Sequence, residues 1–167
     1  MLDTVTKEQR HFIMSQIRGK NTSPEVIVRK YLFSRGLRYR LHDKKLPGRP
    51  DLILKKYRTV VFINGCFWHQ HSNCKHSHIP ETNREYWLNK LSGNKKRDEE
   101  NLRKYRDLGW NVIVVWECEL RPALRSMTLQ RIYYEIIYSA SPYNFNLNQE
   151  KDMKHRELLV SEDIEEY

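Results

Sequence analysis

A chain of 167 residues has room for one ordinary domain with its own core and is too short for two independent ones. Its 30 Lys and Arg against 21 Asp and Glu leave a net charge of +9, so an extended polyanion gains by releasing counterions at this surface, and nucleic acid leads the partner classes ahead of a basic ribosomal or membrane-surface protein. No cationic leader with an apolar run opens the sequence and no stretch approaches the roughly 20 apolar residues that cross a bilayer, so no membrane association is expected and the expected compartment is the cytoplasm.

Phe12, Ile13, Met14 and Ile17 among polar residues predict a short helix from about Thr6 to Arg18, ended by Gly19. Ser23-Pro24-Glu25 reads as the start of a second helix: serine caps, proline is tolerated in the first turn, and the acid complements the dipole. Val28, Tyr31 and Leu32 continue its buried stripe to a stop at Gly36. From Leu37 the period changes to two, with Leu37, Tyr39 and Leu41 alternating with Arg38, Arg40 and His42, as in a strand with one wet face. Leu46-Pro47-Gly48-Arg49-Pro50 breaks the chain, and Asp51 to Leu54 and Thr59 to Ile63 follow as two strands around the turn Lys55 to Arg58.

Beyond a Cys- and His-rich stretch, Asn64 to His78, Thr82 with Glu85 signals a capping box for a long polar helix ending near Gly109. Trp87, Leu91, Leu102, Tyr105 and Leu108 are its expected apolar contacts. Asn111 to Trp116 is a buried strand by its β-branched run, and Thr128 to Tyr138 a packing helix. The expected architecture is an α/β sandwich, with residues 1–140 as a single domain and 141–167 as a polar tail whose one strong apolar cluster is Leu158, Leu159 and Val160.

Three cysteines, Cys66, Cys74 and Cys118, cannot all pair within one chain and suit a reducing compartment. Cys66, His71 and Cys74 share one short loop, and Cys118 lies just past a strand that the fold can bring beside it. Such a Cys3His set suits tetrahedral zinc, and four protein ligands leave no open position, so the metal would be structural. His71 is the preferred histidine and His76 its competitor; the alternative is three buried cysteines acting as small hydrophobes. Arg49, Lys95, Lys96, Arg97 and Arg103 are candidates for phosphate contact, although a run such as 95–100 is more often a solvated helix face.

The string Leu46-Pro47-Gly48-Arg49-Pro50-Asp51, then Gly65-Cys66-Phe67-Trp68-His69, Arg97-Asp98, Gly109-Trp110 and Val115-Trp116-Glu117-Cys118 resembles the very-short-patch-repair (Vsr) mismatch endonucleases, from the first helix to about Leu120. The resemblance implies a restriction-endonuclease-like fold of the PD-(D/E)XK type, with a mixed central sheet flanked by helices and a structural zinc site. It implies a monomer that makes a magnesium-dependent nick 5′ of the thymine in a T:G mismatch, in double-stranded DNA damaged by deamination of 5-methylcytosine. A bacterial, nucleoid-associated setting and mismatch-repair proteins as further partners come with it.

By the same resemblance Asp51 is the magnesium ligand, a carboxylate being apt because magnesium takes hard oxygen donors; by itself it reads as a turn residue at a strand start. His69 falls near the scissile phosphate, where an imidazole can activate water, and its other readings are zinc ligation or phosphate contact. Glu25 matches a glutamate near the family's active site, while its spacing alone makes it a helix-dipole partner. Members often carry a histidine just before Gly-Cys, and Asn64 stands there instead; it can hydrogen-bond phosphate or orient water but not transfer a proton. The Glu-x-Lys of restriction enzymes is absent after Asp51, as the resemblance implies. Phe67, Trp68 and Trp87, with Met14, match residues that enter the base stack beside the mismatch, where an apolar wedge costs least; for Trp87 core packing is an equal alternative, and Arg49 is a candidate DNA contact. Two other readings stand beside this one: a restriction-type or mobile-element nuclease of the same build, and a zinc-stabilised DNA-binding protein without catalysis.

Overall fold

The computed structural model describes Gln9, Phe12, residues 19–41 and residues 43–139. The first predicted helix, Met14 within it, and the tail 141–167 lie outside the described residues, Gln9 and Phe12 alone excepted.

Helix α1 spans Ser23–Ser34 and is capped by Thr22, one residue earlier than expected. The Glu25 carboxylate reaches back to the Thr22 hydroxyl at 3.0 Å and its backbone N–H at 3.4 Å, so threonine and not serine closes the first turn. The helix stops where Gly36 takes φ +82°. There Leu37 N–H bonds the Leu32 carbonyl and Gly36 N–H the Phe33 carbonyl, both at 3.0 Å, while Leu32 and Leu37 are both buried. A left-handed residue, two reversed bonds and an apolar pair make this stop a Schellman motif.

The sheet has three strands in the order β1 (Leu52–Leu54), β2 (Thr59–Asn64) and β3 (Asn111–Trp116). β1 runs antiparallel to β2, with Leu52 opposite Val61, and β2 parallel to β3, with Val61 opposite Ile113. The parallel pair is joined by α2, Arg84–Asp107, as parallel strands require a long crossover. The strand expected over Leu37 to Leu41 is reduced to one bridge, Arg40 to Ile53, whose N–H and carbonyl groups exchange two 2.9 Å bonds. Alternate residues of a strand aim their backbone at opposite neighbours, and in three-residue β1 only Ile53 faces outward. Leu37 and Tyr39 still pack inward, whereas Leu41 is exposed.

Three further expectations are corrected. Asn83, at φ 55°, caps α2 in place of the Thr82 capping box, because asparagine tolerates the left-handed turn that swings the chain into the helix; Leu108 at its far end is exposed rather than packed. Helix α3 spans Pro122–Ser139 and so begins six residues before Thr128, with proline in its first turn.

The two sheet faces are filled differently. On one, Val28 and Leu32 of α1 and Leu129, Ile132 and Ile136 of α3 pack on Leu52, Leu54, Val61, Ile113 and Val115. On the other, Tyr105 of α2 covers Ile53 and Val60 with help from Leu46, Phe62 and Trp110. The result is a mixed α/β fold with helices on both faces. Among the described residues no helix is long and apolar enough to cross a membrane. The loop after β2 and the turn after β3 leave the same end of the parallel pair, and that end carries the chemistry.

Candidate active site

Asp51 precedes β1 and is fixed twice: its N–H donates to the Val61 carbonyl at 3.0 Å, and its Oδ2 accepts the Ile63 N–H at 2.7 Å. The carboxylate therefore sits beside the end of β2, where Asn64 is the last strand residue. Burial pushes its pKa up from 3.8 to about 6, against the pull of the Ile63 hydrogen bond; Glu25 adds to the rise, and Arg29 and His69 oppose it. Asp51, Glu25, Arg29 and His69 thus share one electrostatic neighbourhood.

His69 lies in the turn that follows, with its N–H on the Gly65 carbonyl at 3.2 Å. Its Nδ1 is 2.6 Å from Asp98 Oδ2 of α2. A carboxylate there accepts a hydrogen bond from Nδ1–H and so leaves Nε2 free to accept a proton, the arrangement that suits a base. Asn94, Asp98 and Asn101, spaced at i, i+4 and i+7 on α2, line an open groove with His69, Lys44, Arg49 and Arg97. Asn94 donates to the Trp68 carbonyl at 3.0 Å, and Arg97 in turn donates to Asn94 Oδ1.

The Pro-Gly-Arg-Pro stretch forms the opposite wall. Gly48 has φ +66°, and a Cβ there would lie 2.8 Å from Asn101 Nδ2, so backbone and space both favour glycine. The Tyr105 hydroxyl ties this wall to α2 through a 2.8 Å bond to the Pro47 carbonyl. Arg49, also left-handed at φ 52°, is exposed at the groove rim.

Glu25 is buried and heavily engaged. Its Oε1 accepts from Thr22 as described, and its Oε2 accepts the Asn21 N–H at 3.0 Å and Arg29 Nη2 at 2.5 Å. The first-turn position weighed from spacing as a helix-dipole partner is therefore present, together with an electrostatic influence on Asp51.

Four ligand atoms, from Cys66, His71, Cys74 and Cys118, lie within 4.8 Å of one another. His71 Nδ1 is 3.3 Å from Cys118 Sγ and 3.7 Å from Cys66 Sγ, its N–H bonds the Cys66 carbonyl at 3.0 Å, and its ring stacks on Trp116 at 4.1 Å. His76 is not part of the cluster. Burial pushes the Cys66 thiol up to about 12 and also raises Cys118, whereas the His76 backbone N–H lowers Cys74. A tetrahedral ion with bonds of about 2.0–2.3 Å sets its ligand atoms roughly 3.5–4 Å apart. The donor set fits such an ion with a small contraction.

In sequence, two aromatics stand between Cys66 of the cluster and His69 of the groove. Phe67 meets Trp68 at 5.1 Å and Trp87 at 5.3 Å, edge to face, and Tyr86 meets Trp87 at 5.2 Å. The three predicted wedge residues are each partly exposed and pack on one another. Lys90 Nζ lies 5.6 Å from the Trp68 ring.

Asp51, His69 and Glu25 thus share one electrostatic neighbourhood, and the four sulfur and nitrogen donors converge. Asp98 and Arg29 carried no role in the sequence reading. Asp98 sits in a charge run that looks like solvated helix, and the available signals were the Arg97-Asp98 pair within the family-like string and its helical spacing from Asn94 and Asn101.

The family profile described as DNA mismatch endonuclease Vsr matches residues 2–76. The Type II nicking enzyme V.NmeAIP of Neisseria meningitidis serogroup A is 49% identical over 137 residues, 81% of this chain and 97% of that one. The DNA mismatch endonuclease Vsr of Escherichia coli K12 is 40% identical over 121 residues, 72% of this chain and 77% of its own. The catalytic domain of homing endonuclease I-Bth0305I superposes with a TM-score of 0.50 at 19% identity, covering 72% of this chain and all of that one, and so shares the fold. The relatives define a DNA endonuclease. Within that class, the chain belongs to the Vsr DNA mismatch endonuclease family.

Proposed function

We propose that this protein nicks one strand of double-stranded DNA 5′ of the thymine in a T:G mismatch, as a monomer acting on the chromosome in the cytoplasm, in concert with mismatch-repair proteins, in repair of deaminated 5-methylcytosine. Its single domain, residues 1–140, has the restriction-endonuclease-like fold of the PD-(D/E)XK class. The observation that carries the reading is the loop from Gly65 to Cys74: it joins a histidine paired to Asp98 at 2.6 Å with two aromatics that pack on Trp87. Base and wedge thus share one short segment, as cleavage beside a disturbed base step requires.

In this reading Asp51 holds magnesium, which when bound neutralises phosphate charge and acidifies water. His69, steadied by Asp98, accepts the proton of the attacking water at Nε2 as the water oxygen bonds to phosphorus and a phosphorus–oxygen bond of the backbone breaks, the leaving oxygen taking a proton from solvent water. Asn64 orients water or phosphate, Arg49 and its neighbours hold the phosphates, and Phe67, Trp68 and Trp87, with Met14 from the N-terminal segment, enter the stack. Cys66, His71, Cys74 and Cys118 hold zinc, which fixes the loop. A second reading, nicking of matched DNA in a fixed sequence, is favoured by one observation: several relatives are named type II nicking enzymes.

Strand-resolved cleavage of a T:G duplex beside its T:A control, with magnesium or EDTA, separates them. A magnesium-dependent cut next to thymine on the mismatch alone supports the first; equal cutting of both duplexes supports the second and overturns the first.

A further inference from the structure

Arg29 is 8% exposed, in the middle of α1 between the core residues Val28 and Leu32. Its two terminal nitrogens go to different partners: Nη2 donates to Glu25 Oε2 at 2.5 Å and Nη1 to Asn21 Oδ1 at 2.6 Å. Its backbone carbonyl accepts the Tyr39 hydroxyl at 3.1 Å, which ties α1 to the chain segment running toward the Pro-Gly-Arg-Pro loop. An apolar side chain would fill this place with less desolvation, since a buried ion pair adds little stability over well-packed hydrophobes. What the guanidinium supplies instead is charge and direction. Glu25 and Asp51 are two carboxylates in one partly buried neighbourhood, and Arg29 is the buried cation among the described groups that face them.

We propose that Arg29 is a positioning residue for the nicking reaction: its fork fixes the Glu25 carboxylate beside Asp51 and cancels one of the two negative charges there, setting how tightly and in what orientation the site takes a divalent cation. The inference rests on the proposed magnesium role of Asp51. Arginine meets both requirements, because a planar fork reaches two acceptors at fixed angles, which a lysine ammonium does not. Charge and geometry are therefore separable by substitution. Lysine keeps the charge and loses the fork, while glutamine loses both. Neither change removes the helix cap, since Glu25 keeps the Asn21 and Thr22 donors.

The test uses the full chain with Arg29→Lys, Arg29→Gln and Asp51→Ala. Magnesium binding is read by calorimetry on the protein alone, and kcat and the magnesium KM by nicking of a T:G duplex, with thermal melts reporting folding. Arg29→Gln is expected to bind magnesium ~3- to 10-fold more tightly, because a cation has been removed from beside the site, and to lose about tenfold in kcat. Arg29→Lys is expected to bind magnesium within about twofold of the parent while losing a similar factor in kcat. A purely structural role predicts lower melting temperatures with unchanged magnesium affinity and unchanged kcat per folded molecule, and that result overturns the proposal, as does unchanged or weakened binding by Arg29→Gln. If Asp51→Ala binds magnesium and nicks like the parent, the magnesium role of Asp51 fails instead, whatever the Arg29 variants do.

Discussion

Two clusters of candidate ligands lie at the same end of the β2–β3 pair, and they are built on opposite principles. Cys66, His71, Cys74 and Cys118 form a closed set of soft donors whose atoms already converge, braced by the Trp116 stack. Asp51 with Glu25 and His69 forms an oxygen-rich set that meets the groove at His69, and its principal carboxylate is held at an uncomfortable pKa by burial. A closed thiolate site contributes folding energy and has no coordination position to offer a substrate; an open carboxylate site costs folding energy and does the chemistry. The lesson is that His69 lies inside the Cys66–Cys74 loop, separated by one residue from His71, so that on the proposed reading the closed site anchors the reactive one.

The contrast breaks most sharply under reciprocal substitutions. Asp51→Ala is expected to reduce nicking to background while zinc content and melting temperature stay at or above those of the parent. Cys118→Ser is expected to lose metal and several kcal/mol of stability together, on the order of other structural zinc sites. Metal analysis and melting curves check both, and unchanged zinc in Cys118→Ser would sink the closed-site account.

Next in size is His69→Ala, expected to slow nicking by about 10²–10⁴ under single-turnover conditions if the imidazole is the base. Asp98→Asn should cost less, about 10- to 100-fold, because it leaves the ring in place and loses only the partner that fixes its tautomer. Equal losses in the two variants would mean that Asp98 does more than steady His69.

The smallest effect is graded by pH. The Asp51 carboxyl, raised from 3.8 to about 6, binds more protons in the folded than in the unfolded chain between those values. Its ionisation therefore lowers stability as pH rises through that window, and the cost is complete above about 6. Asp51→Asn should then melt higher than the parent at pH 7.5 without divalent ions, by about 1–3 kcal/mol, and no higher near pH 3.5. Because the cation needs the anion, magnesium affinity should fall by about tenfold for each pH unit below 6. A flat affinity from pH 7 to 5 contradicts the buried carboxylate.

Much of this was legible in the sequence because short-range rules decide it. The β-branched runs at 59–63 and 111–116 became the parallel pair, Gly36 stopped its helix, and the cysteine spacing foretold the cluster. What was not legible depended on distant partners. His71 is distinguished from His76 by the Trp116 ring beneath it, forty-five residues away in sequence. Asp98 becomes part of the site only because α2 lies across the loop, and the expected strand over Leu37 to Leu41 failed because its neighbour has one outward-facing residue. The Arg29 network was hidden by a helical pattern in which a charged residue normally points to water.

The central claim, an anchoring closed site beside a working open one, is tested most directly by measuring zinc content and T:G nicking on one sample dialysed briefly against EDTA. The account predicts that stoichiometric zinc remains, that nicking is lost, and that magnesium alone restores it. Zinc lost in parallel with activity, with recovery only on adding zinc back, would contradict it.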